Sequence, residues 1–202
     1  TRTCALAFSP ASFASQGGAA ESAHAQIIRY VDNLGPAGSG LDWANTTNDL
    51  QDAINDAEQQ RVFDGVDSAE VWIKVSTAPH RPTRDIAGNL TPADPRDRTF
   101  TIPPGIKVRG GFQGVEAGED ERSITDARFT VLSGDFQVTP NDPTDDSYSV
   151  VRVPPTPPLG PNEERSSLLN HCVVTSGNAN GSIAGQGLQG PRSSGGGLYA
   201  IG

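Results

Sequence analysis

The chain has 202 residues, long enough for one domain with a sizeable apolar core. Its 24 acidic and 15 basic residues leave a net charge of −9, a balance that repels phosphate backbones and argues against a nucleic-acid partner. With 35% hydrophobic residues, 23 glycines and 16 prolines, the composition is that of a turn-rich folded domain. No stretch approaches the roughly 18 apolar residues of a transmembrane helix.

Residues 1–26 are rich in Ala and Ser and end near Ala23-His24-Ala25, a small-x-small pattern that reads as a signal-like or flexible tail. Pro10, Gln16, Gly17 and Gly18 interrupt the apolar segment that a secretory signal would need, so both readings stay open. Regular structure is expected over residues 27–202, beginning with the β-branched and aromatic run 27–31. One helix follows. Leu50, Ala53, Ile54 and Ala57 recur at helical spacing, and Asn45 or Thr46 can cap the segment.

Beyond the helix, short β-rich runs appear at 71–75, 99–102, 106–109, 129–132, 148–153, 168–175 and 198–201, each bounded by Gly, Pro, Asn or Asp. No second helical pattern intervenes, and tight hairpin signals are scarce. Parallel strands joined by loops around one axis satisfy that pattern. The expected fold class is therefore all-β: a right-handed parallel β-helix, or solenoid, with the lone helix as its N-terminal cap. The loops 78–97, 137–146 and 154–161 would bulge from the stack.

Several segments carry a resemblance. They are Tyr30-Val31-Asp32, Asp42-Trp43-Ala44-Asn45, Glu70-Val71-Trp72-Ile73-Lys74-Val75 and Gly110-Gly111-Phe112-Gln113-Gly114. Asp49-Leu50-Gln51-Asp52-Ala53-Ile54, Arg81-Pro82-Thr83-Arg84-Asp85, Arg98-Thr99-Phe100, and Glu116 with Asp120-Glu121-Arg122 belong with them, as do Leu132-Ser133-Gly134-Asp135, Thr175-Ser176-Gly177-Asn178-Ala179-Asn180-Gly181 and Gly195-Gly196-Gly197-Leu198-Tyr199. In order and spacing these resemble bacterial secreted β-helix proteins of the pectin-lyase-like superfamily and polymorphic outer-membrane repeat proteins. The resemblance implies a right-handed coil, export from the cell and a stack that continues beyond residue 202. It implies no single chemistry. Gly110 and Gly111 themselves suit a corner with positive φ or a close approach between chain segments.

Catalytic signatures are thin. Asp145-Asp146 lacks the companion motifs of a glycoside hydrolase, and His24, His80 and His171 stand in unrelated contexts. His80, in Pro79-His80-Arg81-Pro82, reads as a loop residue, and His171 as a strand residue that packs or faces outward. The loop around Asp142, Asp145 and Asp146 offers hard oxygens to a calcium ion, against the plainer reading of a solvated acidic loop. Glu116, Glu119, Asp120 and Glu121 form a second acidic group of the same kind. Catalytic residues and organic cofactors are not assigned. Cys4 and Cys172 read as free thiols, with a single disulfide as the alternative outside a cell.

The sequence leans against an enzyme. The leading expectation is a secreted or cell-surface structural or adhesion module, with itself or other surface components as partner, self-assembling through an open end into a filament. The rivals are the N-terminal part of a polysaccharide lyase or glycoside hydrolase, and a module that binds polysaccharide through exposed aromatics.

Overall fold

The computed structural model describes residues 26–122, 129–136, 144–155, 166–180 and 196–200. The helix forms where the apolar spacing places it. α1 spans Leu50–Asp64, and Asp49 is the cap, its side chain accepting from the N–H groups of Gln51 and Asp52. Asn45 and Thr46 lie further upstream, because Asp49 directly abuts the first turn. Gly65 ends the helix in the left-handed conformation (φ 66°), which lets its N–H reach back to Arg61 and Val62 carbonyls.

The described residues also form nine short strands: β1 (Ile28–Val31), β2 (Ala69–Lys74), β3 (Phe100–Thr101), β4 (Ile106–Phe112), β5 (Thr130–Ser133), β6 (Val151–Val153), β7 (Leu168–Asn170), β8 (Cys172–Thr175) and β9 (Leu198–Ala200). They pair into three small sheets, ordered β1-β2-β4-β7, β3-β6-β9 and β5-β8. Among the described residues every strand-to-strand ladder is parallel.

The fold is α/β, and this corrects the all-β right-handed parallel β-helix, its capping helix and the pectin-lyase-like architecture that went with them. β1 and β2 pair in parallel and are joined through α1, the helical crossover such a pair ordinarily uses. The helix is no external lid. Leu50, Ala53, Ile54 and Ala57 share one buried cluster with Val31, Val71, Ile73, Phe100, Ile106, Val108 and Val150. Strand spacing alone does not reveal this, since a capping helix and a core helix carry the same apolar stripe.

Within the four-stranded sheet, β2 is buried on both faces. Ala69, Val71 and Ile73 point into the main core, while Glu70 and Trp72 point to the other side. There Trp72 stacks on Phe112 at 4.5 Å and meets Tyr30 edge-on at 5.6 Å; Trp43 closes on Tyr30 at 4.7 Å. The Glu70 carboxylate accepts from Trp72 Nε1 (2.7 Å) and Arg109 Nε (3.0 Å), and Arg109 also pairs with Glu119. Gly111 takes φ 87°, and a Cβ on Gly110 would lie 2.6 Å from the His171 carbonyl oxygen. Both uses expected of this glycine pair are present.

One end of each sheet is closed by a device of its own. Outside β1, Tyr30 N–H donates to the Gly40 carbonyl (2.9 Å), Asp32 N–H to Thr47 (3.0 Å), and Thr47 N–H back to Tyr30 (3.0 Å). Outside β3, the Gln51 side chain of α1 accepts from Thr101 N–H (2.8 Å) and donates to the Thr101 carbonyl (3.1 Å). Outside β5, His80 N–H donates to the Val131 carbonyl and Ser133 N–H to the His80 carbonyl, both at 2.8 Å. Covered edges of this kind keep foreign strands away.

Candidate functional site

Among the described residues, two places bring together the side chains singled out by the sequence. The first lies just past β5. β5 ends at Ser133, and two residues on Asp135 bridges antiparallel to Asp146. Ser147 N–H donates to the Gly134 carbonyl at 2.9 Å, which holds the two segments in register. One donor oxygen from each of Asp135, Asp145 and Asp146 then lies within 4.8 Å of the others. Asp145 is only 9% exposed.

Two arginines frame the cluster through its main chain. Arg81 Nε donates to the Asp135 carbonyl, and Arg96 Nε donates to the Asp146 carbonyl at 2.7 Å. Arg96 continues to the Asn178 carbonyl (2.9 Å) and Asn180 Oδ1 (2.7 Å), and its guanidinium covers the Tyr148 ring at 4.1 Å. A set made only of carboxylate oxygens suits a hard divalent cation such as calcium.

Of the predicted ligands, Asp145 and Asp146 come together, whereas Asp142 lies outside the described residues. Asp135 is the member that the sequence reading missed. Its signal was the Ser-Gly-Asp sequence immediately after a β-rich run, where turn-forming residues follow a strand.

The second place is a cleft of about 240 Å³ at the N-terminal end of α1, lined among others by Asn33, Asp49, Ala78, His80, Arg81 and Thr83. His80, read from the sequence as a loop residue, is 4% exposed because its main chain is clamped to β5. Burial pushes its imidazole down to about 4, although the Asp32 and Asp49 carboxylates act in the opposite direction. It is therefore neutral at physiological pH. His80 Nε2 and Asn33 Oδ1 are both buried without a hydrogen-bond partner, while Asn33 Nδ2 donates to the Ala78 (2.8 Å) and Pro79 (3.2 Å) carbonyls. Thr83 Oγ1 donates to Asp49 at 2.8 Å, so the helix cap is also part of this wall.

The second predicted acidic group is taken up by the protein itself. Glu116 accepts the N–H groups of Gln113 (2.7 Å), Gly114 (2.9 Å) and Val115 (3.0 Å). Burial raises its carboxyl, but those amides outweigh burial and hold it below the usual range. Glu119 pairs with Arg109, and Glu121 accepts the Ala117 N–H at 2.8 Å. Among the described residues, the Asp135-Asp145-Asp146 group is the one set of three metal-competent side chains.

The remaining reactive side chains occupy packed positions. His171 is no strand residue: it sits at φ 58° between β7 and β8 and stacks on Phe129 at 4.5 Å. Cys172 is a free thiol beside the main core. Burial pushes it up to about 12, against the Gly110 N–H and the Arg122 charge, so it is not a ready nucleophile. Cys4 and His24 lie outside the described residues.

Comparisons with protein-family models, with curated proteins and with solved structures found no match. No helix among the described residues is long and apolar enough to cross a membrane.

Proposed function

We propose that this protein is a non-catalytic structural or adhesion module that works outside the cell or at its surface. The observation that carries the reading is the way the described ionisable side chains are engaged. Glu70 holds Trp72 and Arg109; Glu116 holds a backbone turn; Arg122 donates to the Gly110 carbonyl (2.9 Å) and to Asn170 Oδ1 (2.8 Å). His80 is sequestered as a neutral ring and Cys172 as a protonated thiol. Groups arranged this way rigidify a scaffold rather than exchange protons with a substrate.

The acidic surface, with a net charge of −9, suits a protein that stays soluble outside a cell. The test is incubation of the purified protein with acidic and neutral polysaccharides, followed by assay of reducing ends and of unsaturated uronides. The expected result is no product above the protein-free control. Turnover that co-purifies with the protein and scales with its concentration would replace this reading with that of a polysaccharide-cleaving enzyme.

A further inference from the structure

The cleft at the N-terminal end of α1 holds polar groups that the scaffold does not use. Asn33 Nδ2 donates to two carbonyls, those of Ala78 (2.8 Å) and Pro79 (3.2 Å). That pair fixes the amide's orientation, because the opposite flip would set Oδ1 against two carbonyl oxygens. Oδ1 is therefore an acceptor, and it is buried without a partner. His80 lines the same cleft at 4% exposure, and its Nε2 is likewise buried and unpartnered. Leaving a buried polar atom unpaired costs stability. Two in one cleft call for a reason, and a ligand that bonds both supplies one.

The walls are fixed in advance. Pro79 and Pro82 flank His80-Arg81, and the His80 main chain is bonded in both directions to β5. Arg81 Nε donates to the Asp135 carbonyl, and Asp49, the cap of α1, accepts from Thr83 Oγ1 at 2.8 Å. A ligand entering here orders little of the protein, which favours binding.

The wall groups also narrow the ligand's chemistry. A carboxylate or phosphate brings no donor for Asn33 Oδ1, and Asp49 already sets a negative charge at the helix N-terminus. An ammonium brings donors but meets Arg81 in the same wall. A metal ion needs several ligand atoms at one point, and among the described residues that set is Asp135, Asp145 and Asp146, not the groups around His80. A hydroxyl both donates and accepts, so it satisfies Asn33 Oδ1 and either tautomer of the neutral His80 ring. The volume, about 240 Å³, lies below the roughly 300 to 1,000 Å³ of clefts that take drug-sized molecules, and suits a single ring.

We propose that this cleft binds one neutral sugar unit, whose hydroxyls donate to Asn33 Oδ1 and bond His80 Nε2 and the Asp49–Thr83 pair; the proposal rests on the adhesion reading above and names the class of ligand such a module holds.

Saturation-transfer NMR and calorimetric titration of the whole protein test this, with glucose, galactose and mannose as probes and galacturonic acid and glucosamine as charged counterparts. At least one neutral sugar is expected to bind with a dissociation constant in the millimolar range, and both charged sugars about fivefold more weakly or worse. His80→Phe keeps a buried ring and removes Nε2, and is expected to weaken the sugar by about tenfold or more. Should that variant lose its far-ultraviolet circular dichroism, Thr83→Val changes an exposed residue of the wall and is expected to weaken binding by about threefold.

No binding by any of the three neutral sugars would overturn the proposal, as would tighter binding of a charged one or binding that a folded variant leaves unchanged. Polysaccharide cleavage by a protein that still binds the sugar in this cleft would sink the non-catalytic reading and leave the site standing. Neither binding nor cleavage would do the reverse.

Discussion

His80 shows how a single residue can carry a pH dependence that its sequence context conceals. In Pro79-His80-Arg81-Pro82 it reads as a surface loop residue, yet its main chain completes the edge of β5 and its ring is 4% exposed. The groups around it are Asp32, itself paired with Lys74 at 2.6 Å, the cap Asp49, and Arg81 in the same cleft wall. Burial dominates and holds the ring's pKa near 4, below the ordinary 6.5. Between those values the unfolded chain binds the proton and the folded one does not. Stability from this group is thus complete above pH 6.5 and falls as the pH drops towards 4. The loss amounts to roughly 2 to 3 kcal/mol. Asp32 and Glu116, with carboxyls held below their usual range, also lose stability in acid, so the comparison must be with a variant. Denaturant titrations at pH 7 and at a pH near the folded value should show a markedly flatter dependence for His80→Gln than for the parent. Equal slopes would mean that the ring titrates normally.

At the scale of elements, the helix and most strands were legible because they follow local rules. The 50-53-54-57 stripe located α1, and eight β-rich runs covered the nine described strands to within a few residues, with 168–175 read as one run where the chain makes β7 and β8 in different sheets. What joins them was not legible. Gln51 sits in the helix as an ordinary polar residue, yet it is 3% exposed and substitutes for a missing strand beside Thr101. No sequence pattern marks a side-chain amide that imitates a backbone. The same holds for Asp135, seven residues from its nearest predicted companion, Asp142, and for the helix's place in the core, which turned an expected all-β stack into an α/β fold. Removing the amide should therefore be costly. Gln51→Leu keeps volume and helix propensity but orphans the Thr101 N–H and carbonyl, and about 2 to 3 kcal/mol of stability should disappear in a urea titration. Gln51→Glu restores only the acceptor and should fall between the two. If Leu proves neutral, the edge of β3 is satisfied by some other group.

For the molecule as a whole, the net charge of −9 is a standing cost to compactness, and three carboxylate donors within 4.8 Å concentrate it at one point. The main-chain bonds from Arg81 and Arg96 fix the positions of Asp135 and Asp146. A divalent cation there would tie the turn after β5 to the segment before β6, and it would bind the folded chain in preference to the unfolded one. At a calcium concentration about a hundred times the dissociation constant, that linkage stabilises by roughly 2.7 kcal/mol. For a chain of this length the melting temperature then rises by about 5 to 10 °C. Calcium could also act by screening the overall charge, and the two effects separate experimentally. Screening is reproduced by sodium chloride at matched ionic strength and survives the paired change Asp135→Asn and Asp146→Asn. Site binding is not reproduced by salt, is reversed by a chelator, and vanishes in the paired variant. Differential scanning calorimetry of both proteins, with calcium, with salt and with chelator, is expected to give the second pattern. A calcium shift that salt matches, or that the paired variant retains, would reduce these three aspartates to a solvated acidic surface.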